Sequence, residues 1–332
     1  MSQQFPLVTF ALFAYNQERY IRAAVEAALA QDYPNLEILL SDDASTDATF
    51  EIMQEAVAGY GGPHSVRLNR NQQNLGRGGI GAHVNRVLQL ARGEFVVMAG
   101  GDDISFPNRV SALLAAWERT EFKAGLVHSA VELMTETGEV VKTVQGRASY
   151  AGLDVAGMLA AGAKGVLGAS VGIARRLQLR FGELDPHAYF EDRIFAFRAF
   201  LDGGIAYVPR PLLRYRAHGG AMSGNAIYTD PAKWNRWMEG MLDAHAHFWR
   251  DYQTNCNGTE DKRVKTRWRR ELRRIETARL VQHPHPVLRL YGAWVYARDE
   301  RLRARLGFAL ARAGWLDATP VRRLRSIMRS LG

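Results

Sequence analysis

Residues 6–49 read PLVTFALFAYNQERYIRAAVEAALAQDYPNLEILLSDDASTDAT, and this stretch indicates the architecture of the chain most clearly. An apolar run at Leu7–Ala14 precedes Arg19–Gln31, where apolar residues recur at helical spacing. A second apolar run follows at Leu36–Leu40. Short apolar runs predict buried strands, and a period of 3.6 residues predicts a helix packed on them. The stretch therefore predicts a β-α-β unit.

The same alternation continues as far as Trp117. It predicts a helix that is capped by Ser45 or Thr46 and runs through Val57, and then a strand at Val66–Leu68. A helix at Gly78–Ala91, a strand at Phe95–Met98 and a helix with Pro107 in its first turn follow. Strands that alternate with helices favour a parallel sheet covered on both faces. We therefore predict an α/β fold with a Rossmann-like, mostly parallel sheet.

The second half of the chain has a mixed pattern. Strands are predicted at Leu126–Leu133, Ser170–Ala174, Ile205–Val208 and Leu212–Arg216, a helix at Glu191–Leu201, and mainly helices from about Thr229. The polar stretch Gly219–Asn225 is the predicted boundary between a domain at 1–224 and a helical extension at 225–332.

The amino-acid composition indicates a globular chain with a basic C-terminal part. Of 332 residues, 47% are hydrophobic and 23% charged, which is ordinary for a folded protein. Residues 261–332 hold 19 of the 43 lysines and arginines but 6 of the 34 acidic residues. This excess predicts an anionic partner for the extension, such as a membrane surface, although a solvated basic face or an oligomer contact explains it as well.

Two further features bear on location. Cys256 is the only cysteine, so no internal disulfide forms, which fits a reducing compartment. The first residues show no basic segment of a secretory signal, and no apolar run approaches the roughly 20 residues that cross a bilayer. We expect a cytoplasmic protein, or one peripheral at the inner face of the plasma membrane.

Three polar pairs follow predicted parallel strands. Ligands of such sheets bind beyond the carboxyl ends of the strands, so the pairs describe one cleft. They are Tyr15–Asn16, Asp42–Asp43 and Asp102–Asp103.

The acidic pairs have structural and functional interpretations. In the structural interpretation, Asp42 and Asp43 belong to a turn and helix cap. In the functional interpretation, Asp43 accepts a hydrogen bond from the imide N–H of a pyrimidine base. Asp102 and Asp103 form a solvated turn, or they hold a divalent cation, Mg²⁺ or Mn²⁺, that grips a diphosphate.

Two later runs offer further candidates. Glu191 and Asp192 have a structural interpretation, because the helix dipole favours acidic residues at a helix N-terminus. Their functional interpretation is that one of them is a general base beside aromatic residues. The structural interpretation of Arg216 is an exposed charge on an edge strand. Its functional interpretation is that it binds a diphosphate, with His218 as a further metal ligand.

Absent motifs exclude some classes. There is no GxxxxGK[ST] loop and no GxGxxG after the first strand, which argues against a Walker ATPase or a dinucleotide enzyme. The glycine-rich run Gly76–Gly81 follows a short strand and is weak evidence of phosphate binding.

Taken together, four runs resemble glycosyltransferase family 2, the large inverting family with the GT-A fold. The resemblance covers about residues 5–225. It rests on residues 6–49, on NLGRGGIGAHVNRVLQLARGEFVVMAGGDDISFPNRV at 74–110, on YFEDRIFAFRAF at 189–200 and on YRAHGGAMS at 215–223. The resemblance implies a nucleotide-sugar part at about 1–110, an acceptor part at about 111–224 and a nucleotide-diphosphate sugar, UDP-linked, as donor.

The resemblance also implies roles for particular residues. Asp192 is the expected catalytic base, with Glu191 beside it, and the expected metal ligands are Asp102, Asp103 and His218. The candidate donor-binding residues are Phe13, Tyr15, Asn16, Asp43, Asn74, Arg77, Asp102 and Arg216. Many members read Asp-x-Asp-Asp where this chain has Gly100-Gly101-Asp102-Asp103, so the direct metal ligand stays open between the two aspartates.

These expectations describe a metal-dependent enzyme that passes a sugar to a hydroxyl of a glycan or lipid-linked acceptor, in bacterial surface polysaccharide synthesis. Two other classes remain open. A nucleotidyltransferase that makes sugar nucleotides would share the sheet and the acidic site. A non-catalytic protein whose basic tail binds an anionic surface is the third class. No nucleic acid is expected, because the tail contains no recognised DNA or RNA module.

Overall fold

A computed structural model of the chain describes residues 6–217, 231–256 and 259–279. The predicted ligand His218, the predicted boundary at Gly219–Asn225 and the end of the basic extension lie outside these residues.

The described residues form a nine-stranded sheet. Its strands are β1 (Val8–Ala14), β2 (Leu36–Asp42), β3 (Ser65–Arg70), β4 (Phe95–Gly100), β5 (Ile104–Ser105), β6 (Leu126–Met134), β7 (Val140–Val144), β8 (Val171–Ala174) and β9 (Ile205–Arg216).

Helices connect or follow these strands. They are α1 (Ile21–Leu29), α2 (Thr49–Val57), α3 (Gly81–Leu90), α4 (Arg109–Glu118), α5 (Val155–Ala161), α6 (Arg176–Phe181), α7 (Glu191–Asp202), α8 (Pro231–Asn255) and α9 (Lys262–Arg279). One turn of 3₁₀ helix, Gly168–Ser170, precedes β8.

The order of the strands is β3-β2-β1-β4-β8-β6-β9-β5, with β7 paired to β6. The first four strands are parallel, as the sequence predicted. The short β8 runs antiparallel between β4 and β6, while β6 and β9 are again parallel to each other. The sheet therefore continues past β4 into the second half of the chain.

Helices cover both faces of the sheet, because alternate residues of each strand point in opposite directions. On one face, Phe10 and Leu12 of β1 pack with Ile21 and Val25 of α1 and Leu113 of α4. The core of the other face contains residues of β1, α3, α7 and α8, including Ala11, Val84, Phe195 and Phe248.

Several elements differ from the sequence prediction. The two strands predicted at Ile205–Val208 and Leu212–Arg216 are one strand, β9, with register shifts against β6. Helix α2 begins at Thr49, so neither Ser45 nor Thr46 caps it as predicted. Ser45 bonds Asp42 instead, and the amide of Thr49 donates to Oδ1 of Asp47 at 3.0 Å.

Contacts between Cα atoms divide the chain into two units. One comprises Met1–Ala221 and Asp243–Trp268, and the other comprises Met222–Leu242 and Arg269–Gly332. Within the second unit, Trp234 stacks on Trp237, and Arg279 forms an ion pair with Glu239 at 3.0 Å. Among the helices that the structure describes, none combines the length and the apolar character needed to span a bilayer.

Candidate active site

The ends of three parallel strands meet at one edge of the sheet. Ala14 lies opposite Asp42, and Phe13 lies opposite Gly100. Beyond the strands, the amide of Asp43 donates to the carbonyl of Ala14 at 2.9 Å, and that of Gly101 donates to the carbonyl of Phe13 at 2.8 Å. The three polar pairs therefore lie at one edge, as the sequence predicted.

Asn16 shapes the loop after β1. Its backbone is left-handed, with φ of 50°. Its Oδ1 accepts from the amide of Thr46 at 2.8 Å, and its amide donates to Oγ of Ser45 at 2.9 Å. The adjacent Tyr15 stays 44% exposed, so its ring is available to a planar ligand at the sheet edge.

Asp43 is buried and organises the glycine-rich loop. Its Oδ1 accepts from Nδ2 of Asn71 at 2.7 Å and from the amide of Leu75 at 2.9 Å, and its Oδ2 accepts from the amide of Gly76 at 2.7 Å. Each carboxylate oxygen has two lone pairs, so these bonds leave acceptor capacity on Oδ2. Asp42 instead bonds Ser45 and is part of the turn.

The loop that Asp43 holds carries two predicted donor-binding residues. Asn74 is partly buried, and its Oδ1 has no hydrogen-bond partner among the described residues. Arg77 is exposed. A buried amide oxygen without a partner is uncommon, and it fits a group that a ligand or a water molecule satisfies.

His83 also belongs to this site, although its sequence context alone did not predict a role. Its Nε2 lies 2.8 Å from Oγ of Ser41, and its Nδ1 lies 3.9 Å from Oδ2 of Asp43. Its ring meets Phe13 edge-on, with centroids 5.1 Å apart. Burial lowers the pKa of His83, which favours the neutral ring. The signal in the sequence was a polar residue on the apolar face of the predicted helix.

Asp102 and Asp103 present oxygens toward one point. A Cβ built on Gly100 would lie 2.8 Å from Oδ1 of Asp102 and 3.0 Å from Oδ2 of Asp103. The space that a side chain at Gly100 would fill is thus flanked by two hard oxygen atoms. Burial and the neighbouring charge of Asp102 raise the pKa of Asp103 well above its usual range. This pair fits a divalent cation, whose charge would stabilise both carboxylates.

A larger cluster is not present in the described part of the chain. Across residues 6–217, 231–256 and 259–279, no group of three or more histidine, cysteine or acidic side chains is placed to hold a metal ion. The third predicted ligand, His218, falls outside these ranges.

Arg216 supports this acidic pair from β9. Its amide donates to Oδ1 of Asp103 at 2.9 Å, and its Nε donates to the carbonyl of Asp102 at 2.9 Å. Its Nη1 donates to the carbonyl of Glu136 at 2.8 Å, and its guanidinium lies 4.7 Å from the centroid of the Tyr20 ring. The structure thus directs this guanidinium toward protein carbonyls, and its role with a diphosphate stays a prediction.

Arg109 is a second supporting cation, and no sequence motif predicted it. It is fully buried at the start of α4. Its Nη1 donates to Oγ of Ser105 at 2.9 Å, and its Nη2 donates to the carbonyls of Met98 and Ala169, each at 2.6 Å. Burial lowers the pKa of Arg109 to about 10, while the charge of Asp103 opposes that shift.

Glu191 and Asp192 open helix α7, both partly buried. Oδ1 of Asp192 accepts from the amide of Arg193 at 2.7 Å. A Cβ built on Gly168 would lie 2.6 Å from Oε1 of Glu191, so glycine allows this close approach. Burial, together with the charge of Asp192, raises the pKa of Glu191 to about 8, and burial raises the pKa of Asp192. A carboxylate with a raised pKa is suited to accept a proton near neutral pH.

The glycine-rich loop joins the two halves of the site. Its Gly76 bonds Asp43, whereas the amide of Gly81 donates to the carbonyl of Ala188 at 3.1 Å. A Cβ on Gly79 would lie 2.1 Å from the carbonyl oxygen of His187. The glycines therefore let this loop pack against the segment that leads into Glu191.

Comparison with known proteins supports one family. The model of Glycosyl transferase family 2 matches residues 9–135, which include all three strand-end pairs. The uncharacterized protein Rv1520 of Mycobacterium tuberculosis is 30% identical over 248 residues, which are 70% of this chain and 68% of that protein. The chain belongs to glycosyltransferase family 2. EpsE of Bacillus subtilis, named as a glycosyltransferase, is 35% identical over 114 residues, which are 34% of this chain and 39% of EpsE.

Solved structures show the GT-A fold of this family. TarS of S. aureus, solved with UDP, has a TM-score of 0.55 at 14% identity, covering 87% of this chain and 89% of that one. The mannosyltransferase PcManGT of Pyrobaculum calidifontis, solved with GDP-Man and Mn²⁺, has a TM-score of 0.57 at 19% identity, covering 98% of this chain and 84% of that one. The fold that the resemblance implied is confirmed.

Proposed function

We propose that this family 2 member transfers a sugar from a nucleotide-diphosphate sugar, UDP-linked, to a hydroxyl of a glycan or lipid-linked acceptor in surface polysaccharide synthesis. The observation that carries the proposal is the physical link between the acidic strand ends and the Glu191–Asp192 pair through the loop of Gly76–Gly81. TarS with UDP and PcManGT with GDP-Man support the choice of donor class.

The nucleotide binds at the sheet edge. The exposed ring of Tyr15 stacks on the base, while Asp43 accepts from a base N–H through the capacity left on Oδ2. Asn74 offers the unpartnered Oδ1 on the same loop, and Arg77 lies exposed beside it. Phe13 and Asn16 support these groups from β1 and its loop.

Asp102 and Asp103 would hold Mg²⁺ or Mn²⁺, with His218 as the third candidate ligand of the cation. When bound, the cation neutralises negative charge on the departing diphosphate. Arg216 holds the carboxylate of Asp103 through its amide and the backbone of Asp102 through its Nε, while Arg109 holds the strand that precedes them through the carbonyl of Met98. The orientation of the Asp103 carboxylate is thereby set before the donor arrives.

Asp192 removes the proton of the acceptor hydroxyl. The acceptor oxygen then forms a bond to the anomeric carbon, the bond from that carbon to the diphosphate oxygen breaks, and the configuration inverts. Glu191 keeps its proton near neutral pH because burial and Asp192 raise its pKa to about 8. Asp192 is therefore the member of the pair that ionises first.

Asp192→Asn tests this assignment. The substitution keeps the size of the side chain and removes its ability to accept a proton. Release of the nucleoside diphosphate, UDP from a panel of UDP-sugars or GDP from GDP-Man, with water as the acceptor, should fall by about 10²–10⁴-fold, while calorimetric donor affinity is retained. Asp32→Asn, an exposed control, should behave as wild type. Near-normal release by Asp192→Asn would remove Asp192 from the role of base.

We further propose that the basic extension associates with an anionic membrane surface by charge alone. In helix α9 the apolar Val264, Ile275 and Ala278 are buried, and Trp268 stacks on Trp249 with centroids 4.6 Å apart. These side chains are already packed in the protein. Exposed arginines remain for the surface: Arg269, Arg270 and Arg273.

Liposome co-sedimentation distinguishes charge from insertion. Arg269→Gln, Arg270→Gln and Arg273→Gln combined should lower binding to vesicles containing phosphatidylserine, and salt should release the wild-type protein. Equal binding of the triple variant, or wild-type binding that persists at 1 M salt through a hydrophobic contribution, would contradict the proposal.

A further inference from the structure

A network of polar side chains leads from Asp43 at the end of the proposed donor site to His83 in α3. It passes through the side chains of Asn71, Asn69 and Ser41. Asp43, Ser41 and His83 are each at most 3% exposed, so water has little access to these groups. Because every hydrogen bond joins one donor to one acceptor, the network determines which atoms carry the hydrogens.

The carboxylate of Asp43 sets the direction of these hydrogen bonds. A carboxylate only accepts, so the group of Asn71 that lies 2.7 Å from its Oδ1 is the amino group, Nδ2. Oδ1 of Asn71 therefore faces Asn69, whose Nδ2 donates to it at 3.0 Å. The second hydrogen of that Nδ2 is donated to Oγ of Ser41, also at 3.0 Å. The hydroxyl of Ser41 thus accepts from Asn69 and still has its own hydrogen to donate.

Ser41 in turn sets the tautomer of His83. Within the described residues, Oγ of Ser41 forms hydrogen bonds to Nδ2 of Asn69 and to Nε2 of His83, the latter at 2.8 Å. The hydroxyl hydrogen is therefore donated to Nε2. Burial lowers the pKa of His83 against the opposing charges of Asp43 and Asp42, so the ring is neutral and carries one N–H. The hydrogen-bond network assigns that hydrogen to Nδ1.

The N–H at Nδ1 of His83 is a buried donor that lacks an acceptor. Nδ1 lies 3.9 Å from Oδ2 of Asp43, which is too far for a hydrogen bond, and it forms none within the part of the chain that the structure describes. The ring also meets Phe13 edge-on, at the end of β1. A buried polar group without a partner is uncommon, and it fits a site that a bound ligand completes.

Oδ2 of Asp43 and Nδ1 of His83 together present an acceptor beside a donor. Hydrogen bonds of about 2.7–3.2 Å that start from two atoms 3.9 Å apart can end on neighbouring atoms of one ring edge. The matching edge has a ring N–H next to a carbonyl, as in uracil and guanine. Cytosine has the reverse pattern, a ring nitrogen that accepts next to an amino group that donates. The pair therefore distinguishes these bases by chemistry.

We propose that His83 is a specificity-determining residue, which donates from Nδ1 to the base carbonyl next to the N–H that Asp43 accepts. The inference rests on the proposed function, and it specifies the class of base in the donor nucleotide. A base with the reverse pattern would leave both buried groups unpaired, which a site of this kind rejects strongly. The site thus selects uracil or guanine over cytosine.

Calorimetry on the full chain with UDP, GDP and CDP, in the presence of Mn²⁺, tests this role. Wild type should bind UDP or GDP at least about tenfold more tightly than CDP, and the tighter of the two identifies the base.

Two variants separate the ring nitrogens of His83. Glutamine reaches the position of Nε2 and removes the donor at Nδ1, whereas asparagine places its amide near Nδ1 and removes Nε2. His83→Gln should bind the preferred nucleotide at least about fivefold more weakly than wild type, with CDP affinity unchanged, and His83→Asn should retain most of the affinity.

The order of the two variants separates base recognition from a structural role. If His83 only holds Ser41 in place, His83→Asn should lose at least as much affinity as His83→Gln. That result, or no loss in either variant, would overturn the inference. If wild type binds UDP or GDP no better than CDP, the inference is wrong and the donor site stands. If wild type binds none of the three nucleotides, the proposed function itself fails.

A measurement on wild type alone serves if thermal unfolding shows that the variants lose their fold. The probes are 2-thio-UDP and 4-thio-UDP, or 6-thio-GDP if GDP is the preferred nucleotide. Sulfur is a weaker acceptor than oxygen, so replacing the recognised carbonyl oxygen should weaken binding for at least one analogue. Equal binding of every analogue and its parent nucleotide would contradict the inference.

Discussion

Arg109 donates through Nη2 to the carbonyl of Ala169 at 2.6 Å, and this bond ties the acidic strand end to the segment that contacts Glu191. The same nitrogen donates to Met98 in β4, four residues before Asp102. Gly168, next to Ala169, lies against Glu191. One buried cation thus supports both halves of the proposed active site.

Arg109→Met should destabilise the protein. The substitution leaves the carbonyls of Met98 and Ala169 without their donor and removes the charge that faces Asp103. We expect the free energy of unfolding in urea to fall by on the order of 3 kcal/mol. Arg119→Met, at the exposed end of α4, should change it by less than about 0.5 kcal/mol. Equal stability of the two variants would show that Arg109 supports neither segment.

A buried ion pair anchors the helix that carries Glu191 and Asp192. Nε of Arg198 in α7 lies 2.9 Å from Oδ2 of Asp251 in α8, and both side chains are at most 1% exposed. Asp251→Ala leaves Arg198 charged and without its ion-pair partner, so the free energy of unfolding should fall by about 3–5 kcal/mol. Replacing both residues with apolar ones should recover part of that loss.

The exposed pair of Arg22 and Glu55, 2.7 Å apart, is the matched control for Arg198 and Asp251. Glu55→Ala should cost less than about 1 kcal/mol in the same urea titration, since water screens this pair. A loss from Asp251→Ala as small as that from Glu55→Ala would rule out the anchoring role.

The raised pKa of Glu191 predicts a pH-dependent stability. Folding raises that pKa from 4.5 to about 8, so between these values the folded protein binds more protons than the unfolded chain. The contribution of Glu191 to stability is therefore present at low pH and is lost as the pH rises through 8. Glu191→Gln should be more stable than wild type at pH 8 by on the order of 1–2 kcal/mol, and little different near pH 4.

Urea unfolding at the two pH values measures this difference. Glu26→Gln, at an exposed position of α1, should change stability little at either pH. If Glu191→Gln and wild type show the same dependence on pH, Glu191 is not the protonated member of the pair.

Much of the parallel half of the fold was predictable from the sequence. Apolar runs predicted β1, β2 and β4, because parallel strands that are buried on both faces consist largely of apolar residues. The strands β5 and β7 were not predicted. Two residues are too few to show a period, and every residue of β7 is exposed. The insertion of β8 between β4 and β6 is a tertiary pairing that no local pattern records.

The candidate site was likewise predictable in part from the sequence. The sequence predicted that acidic pairs gather at strand ends, since that follows from topology. The different contacts of Asp42 and Asp43 were not predictable, because they depend on which loop each carboxylate faces. Arg109 left a faint signal, a cation among the apolar residues of its helix. The packing of Gly79 against His187 joins positions far apart in the chain and has no local signature.

The central claim is that Asp102 and Asp103 hold a divalent cation for a nucleotide diphosphate in the space beside Gly100. Gly100→Ala tests it without changing a charge, because the added Cβ would lie within 3.0 Å of both carboxylates. Gly61→Ala is the matched control, since a Cβ there meets nothing within 4 Å. The measurement is UDP affinity by calorimetry with and without Mn²⁺.

We predict that Mn²⁺ strengthens UDP binding to wild type and to Gly61→Ala, and that Gly100→Ala loses this strengthening by at least about tenfold. Equal Mn²⁺-dependent affinity in all three proteins, or UDP binding that does not respond to Mn²⁺ in wild type, would contradict the account.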